Sequence, residues 1–290
     1  MKTRARITLK SFGRAFGLII WTCGTLFLVQ FILSFVFGWL FKILPFHISS
    51  TAAQTIFSLV SYVFAIIIIF KTPVWLAKLW YKKHSTKSLE NSRKFAITKV
   101  DLGLNELPTW TDIGLAPVGL IVYALLASAF VAIFSIFPWF NAAETQDVGF
   151  NAVYLTSDRI FAFISLVIVA PIAEELIFRG YLYRKIKNIF FKKDLQNLPE
   201  SVTQQTQQKS KSHKKRNHRE LVAIAIATLL TSLAFGVMHG QWNVGVNVFA
   251  MSIVLCVMRE ITGSIYSGIL LHMLKNAIAF YLLYVATSFF

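Results

Sequence analysis

The chain is 290 residues long, 56% apolar and only 14% charged, and it contains 27 phenylalanines. Soluble domains carry about 25% charged residues and disordered chains are poor in apolar ones, so both classes are excluded. The net charge of +16 and the two cysteines, Cys23 and Cys256, signal no nucleic-acid domain, disulfide framework or Cys-rich zinc module, because the basic residues flank apolar runs and both thiols lie inside them.

What remains is an all-α polytopic membrane protein. Over the roughly 20 residues needed to cross a bilayer, only a helix satisfies its own backbone in lipid. Seven apolar segments are predicted to cross, at roughly 15–41, 52–77, 113–137, 159–187, 221–239, 243–258 and 264–289, or eight if one long segment is a hairpin. The first follows a basic N-terminus and exceeds the core of a signal peptide, about 7–15 residues, so it reads as a retained span. The first three carry almost no ionisable group apart from Lys71 and read as scaffold. The sixth is short, so its neighbours must bury its ends or the bilayer must thin there.

Lysine and arginine set the orientation. Of the 29 basic residues, 26 fall in four stretches, the N-terminus, 71–99, 179–219 and Arg259, that alternate with the poorly basic 42–51 and 139–159 loops. This asymmetry predicts a cytoplasmic N-terminus and large cytoplasmic loops, in what reads as the plasma membrane. The sequence divides into an N-terminal pair of spans with its linker (1–110) and a core (111–290) interrupted by a glutamine-rich, polybasic linker at about 188–219. That linker reads as a solvated segment lying against anionic lipid, and this use outweighs a metal reading of His213 and His218.

A charged side chain at the bilayer centre costs roughly 2.5–3.5 kcal/mol on insertion scales. The C-terminal half nevertheless holds Glu174, Glu175, Arg179, His239, His272 and Lys275. Adjacent helical residues point about 100° apart, whereas Glu175 and Arg179 are an i,i+4 pair with the acid first, the favourable order. Glu175 is therefore assigned to Arg179, which leaves Glu174 without a cation and able to exchange protons. Pro171 is expected to kink or break the helix just before it. Phe235 and His239 share one helical face, as do His272 and Asn276.

Glu174-Glu175-x-x-x-Arg179, Phe235-x-x-x-His239 and His272-x-x-x-Asn276 follow one another on successive apolar segments. This set resembles the CAAX proteases and bacteriocin-processing enzymes (the CPBP or Abi family, type II CAAX prenyl endopeptidase-like intramembrane proteases), over roughly residues 113–285. The resemblance implies an intramembrane endopeptidase in which Glu174 and His239 activate water and His272 and Asn276 stabilise the oxyanion, with Glu175, Arg179 and Phe235 in support. It leaves metal dependence open, since Glu174, His239 and His272 have the composition of a zinc site. The insertion at 188–219 departs from the family pattern. Counting along the spans also places Glu174 toward the cytoplasmic side and His239 toward the outer end.

The implied partner is a membrane-embedded or membrane-associated peptide or protein, with no nucleic acid involved. The competing readings are a non-proteolytic immunity or scaffold protein on the same fold and a proton-coupled transporter, the latter weakened by the lack of paired repeats. A serine nucleophile at Ser267-Gly268 is disfavoured by its spacing, and small residues in a span usually serve close helix packing.

Overall fold

The computed structural model describes residues 8–43, 49–84, 96–144, 156–191 and 218–286. Among them are eight helices and no strand: α1 (Leu9–Ile43), α2 (Ser50–His84), α3 (Lys99–Leu102), α4 (Trp110–Phe134), α5 (Thr156–Phe191), α6 (His218–Val237), α7 (Trp242–Thr262) and α8 (Tyr266–Tyr284). All but α3 are long and apolar enough to cross a membrane, which gives seven crossings. Each predicted segment is one helix, and none is a hairpin. The 192–217 part of the polybasic linker, with His213, lies outside the described residues.

Burial follows from position in the bundle. α1, α2 and α4 expose large apolar side chains such as Phe16, Phe27, Phe64, Ile121 and Leu125, a continuous apolar surface suited to lipid and foreign to a soluble monomer. α7 is the most enclosed span, with Val248, Met251, Leu255 and Cys256 in the core. It packs between α6 and α4, α8 also lies on α4, and α1 and α2 form a pair against α5.

α7 is longer than its apolar run suggests, at 21 residues. The polar last turn stays helical because its charges are satisfied. Arg259 donates to the carbonyls of Gly263 and Asp101, and Glu260 accepts from Tyr183 at 2.9 Å and from Lys187 at 2.7 Å. The short α3 docks on this turn. Its Thr98–Asp101 capping box satisfies the first turn, and Gly103 closes it at φ +76°, where a side chain would collide with the Arg259 guanidinium. On the other side of α7, Gly236 and Gly245 let the α6 and α7 backbones touch, since a Cβ on Gly236 would lie 2.9 Å from the Gly245 carbonyl oxygen.

α5 runs 36 residues through Pro171 without breaking. The expected kink is replaced by two stretches of π-helix, Ile164–Val169 and Glu175–Tyr183. In a π turn each N–H reaches back five residues instead of four, which widens the helix, and such turns recur at functional sites. Ala170 N–H bonds to the Ser165 carbonyl in this register. The next donor in the series would be residue 171, and proline has no N–H. The Leu166 carbonyl is thus left without its partner in the helix.

Candidate active site

Two glutamates at the middle of α5 have different surroundings. Glu175 is fully buried and pairs with Arg179, Nη1 to Oε1 at 2.9 Å. The spacing argument is met here, and the guanidinium is further placed 4.4 Å from the centroid of the Phe235 ring on α6, a cation–π contact. Glu175 Oε1 also receives His272 Nδ1 from α8 at 3.2 Å. A carboxylate can only accept, so Nδ1 carries the hydrogen of that bond. Gly268, one turn earlier on α8, makes room for this carboxylate: a Cβ there would lie 2.9 Å from Glu175 Oε2. The Ser267-Gly268 pair is thereby explained by packing, as Ser267 is itself buried.

Glu174 faces a different environment. Its side chain keeps 16% exposure, and His272 Nε2 lies 3.7 Å from its Oε2. Its closest partner is Tyr62 of α2, whose hydroxyl donates to Oε1 at 2.7 Å. α2 is therefore more than the scaffold that its composition suggests. The sequence signal was a single polar tip in the apolar run around Tyr62, and nothing in one sequence ties it to a glutamate 112 positions away.

His239 sits just past α6, in the turn that Gly240 closes at φ +72°. Its Nδ1 lies 2.8 Å from the Phe235 carbonyl oxygen. Because a carbonyl only accepts, Nδ1 holds the hydrogen and Nε2 is left with a bare lone pair. Burial pushes the imidazole below its ordinary pKa, opposed by the nearby charge of Glu174. The ring is thus held neutral and able to accept. Phe235 stacks edge-on with both His239 and Phe178, each at 4.9 Å between centroids.

Asn276 has its own tie to α5: Nδ2 donates to the Leu166 carbonyl at 2.8 Å. That is the acceptor left over by Pro171 in the π register, so part of what Asn276 does is to complete α5.

Glu174, His239, His272 and Asn276 all line one cavity of about 310 Å³ between α2, α5 and α8. Tyr62 and Lys275 line it too; Lys275 is noticeable in the sequence as an intramembrane cation with no assigned task. The conflict of depths disappears because α5 extends to Phe191, beyond the predicted end. The end of α5 packs on α6, and Glu174 and His239 line the same cavity, so the two side chains reach similar heights.

His239 and His272 engage Nδ1 with a backbone carbonyl and with Glu175, which leaves Nε2 of each ring uncommitted, the nitrogen through which such a histidine would ligate a metal. Among the described residues no three His, Cys, Asp or Glu side chains are grouped so as to hold a metal ion.

Residues 156–278 match a family model described as Rce1-like, type II CAAX prenyl endopeptidase Rce1-like. The match contains all three motifs and stops short of the wider 113–285 resemblance, leaving α1, α2 and α4 outside it. Neither the comparison with curated proteins nor that with solved structures returns a match.

Proposed function

With residues 156–278 Rce1-like, we propose that the chain is an intramembrane endopeptidase that hydrolyses a peptide bond of a membrane-associated protein or peptide, using water activated by Glu174 and His239. The observation that supports this most is their convergence: a carboxylate anchored by Tyr62 and an imidazole with its tautomer fixed open on one cavity. The cavity is several times the roughly 30 Å³ share of a water molecule.

The chemistry follows from these roles. A water bound between Glu174 and His239 Nε2 attacks the scissile carbonyl carbon as its proton passes to the Glu174 carboxylate, and His239 accepts the second hydrogen bond and orients the attack. The carbonyl π pair becomes an oxyanion, for which His272 and Asn276 are the donors in the family reading. When the C=O re-forms, the C–N bond breaks and the leaving amine takes the proton from Glu174, which returns the enzyme to its starting state. Glu175, Arg179 and Phe235 hold the frame without touching the reacting atoms.

The distribution of basic residues supports a cytoplasmic location for the ends of α2, α5 and α7 and contact of the polybasic linker with anionic lipid on that side. The test of the activity is a proteomic comparison of membranes carrying the wild type and Glu174→Gln. A cleavage product present only with the wild type supports the peptidase. Identical proteomes, with both proteins folded and equally abundant, would favour a non-proteolytic immunity or scaffold protein on the same fold.

A further inference from the structure

Lys275 is an ionisable group within a span and in the candidate site that the peptidase chemistry leaves unused. It stands on α8 between His272 and Asn276 and lines the same cavity as Glu174 and His239. It is within electrostatic reach of both: its charge acts on His239, and that of Glu174 acts on it. No ion pair or hydrogen bond ties it to any described residue, unlike Arg179, Lys187 and Arg259. An intramembrane ammonium is costly, and the charge within its reach in the resting cavity is that of Glu174; when Glu174 takes up the water proton, that charge is lost just as a new one forms on the substrate.

The two family donors around it are already committed. His272 directs Nδ1 to Glu175, with Nε2 toward Glu174. Asn276 gives an amide hydrogen to the Leu166 carbonyl. A tetrahedral intermediate formed beside Glu174 therefore meets, in the same cavity, an ammonium that no hydrogen bond to a described residue holds. We propose that Lys275 is a further catalytic residue, whose ammonium stabilises the oxyanion of the tetrahedral intermediate. Its role is that of a hydrogen-bond donor and not of an acid. The water oxygen bonds to the carbonyl carbon, the water proton goes to Glu174, and the new negative charge on the carbonyl oxygen faces the Lys275 N–H groups until the C–N bond breaks. Inside the helix bundle such a charge is screened less than in bulk water.

This inference rests on the peptidase reading, and the tests separate the two. In the purified full chain, Lys275→Met should lower kcat by about 10²–10³, the usual effect of losing one oxyanion donor, with KM nearly unchanged because the charge exists only after attack. Lys275→Arg should recover much of the rate. The second readout needs no substrate. Methylphosphonate, a small tetrahedral anion, should raise the unfolding temperature of the wild type and of Lys275→Arg in detergent, and should bind Lys275→Met at least about tenfold more weakly. Equal methylphosphonate binding by wild type and Lys275→Met, no binding by the wild type, or a Lys275→Met defect confined to KM would overturn the assignment. Anion binding of the expected pattern with no turnover of any peptide would sink the peptidase reading, and the catalytic role of Lys275 with it.

Discussion

Replacing Glu175 by glutamine leaves the Arg179 guanidinium in the core with no negative charge beside it. Both partners are buried, at 0% and 1% side-chain exposure, so solvent offers no screening, and breaking such a pair from one side costs about 3–5 kcal/mol. The lower end applies here, because the carboxamide oxygen that replaces the carboxylate can still accept from Arg179 and His272, and Phe235 keeps its face to the guanidinium. A cost of about 3 kcal/mol corresponds to somewhat over a hundredfold in the folding equilibrium. Glu174→Gln breaks no buried ion pair, since its contact with Lys275 is only through the cavity, and retains an acceptor for Tyr62, so it should cost less than about 1 kcal/mol. Thermal unfolding of both variants in one detergent should show a clear drop for Glu175→Gln and almost none for Glu174→Gln. The double variant Glu175→Gln, Arg179→Met removes the stranded charge as well and should recover most of the loss. Equal unfolding temperatures for the two single variants, or a double variant no better than Glu175→Gln, would refute the division of labour between the glutamates.

Tyr62→Phe should leave stability within about 1 kcal/mol yet lower the rate by at least about tenfold, since Glu174 loses the donor that orients it; unchanged kinetics would remove Tyr62 from the site. Because burial lowers the His239 pKa, the rate should hold as pH falls through the ordinary histidine value of about 6.5 and decline only below it. Stability has the same sign: the unfolded chain takes up a proton first, so the contribution of His239 is present above that value and is lost as pH falls further. A pH–rate profile that bends near 6.5 or above would contradict the buried, neutral ring. Asn276→Ala should cost about 1–3 kcal/mol by orphaning the Leu166 carbonyl, and adding Pro171→Ala, which restores an N–H, should return part of that stability; additive losses would rule out the shared acceptor. A cysteine at the exposed Glu106 position should resist an impermeant thiol reagent applied outside intact cells, and ready labelling would reverse the orientation.

The spans were legible because each is a long apolar run, and the Glu175–Arg179 pair because i,i+4 spacing survives even where α5 widens. The three motifs likewise point to one place, and the structure brings Glu174, His239, His272 and Asn276 to the same cavity. Three features were beyond one sequence. Tyr62 reaches Glu174 across 112 positions, and no local pattern encodes such a contact. The π register depends on how Pro171 is accommodated, which its neighbours decide. The true lengths of α5 and α7 depend on charged ends that a hydropathy window trims away and that find partners in the fold: Lys187 pairs with Glu260, and Arg259 donates to the Gly263 and Asp101 carbonyls.

The Leu166–Asn276 bond also has a consequence for how the protein is made. During synthesis α5 is threaded into the bilayer while its partner residue lies 110 positions further along and is still untranslated. Until then the nascent helix holds a bare carbonyl and the carboxylate of Glu174 in lipid, where each unsatisfied group costs several kcal/mol. α5 therefore cannot settle as an independent span, and it either waits beside the translocation machinery or rests against α2, where Tyr62 already offers a hydroxyl. A ribosome that stops before α8 would release a chain that the bilayer holds badly, so membrane quality control can discriminate truncated from finished molecules by the state of this one helix.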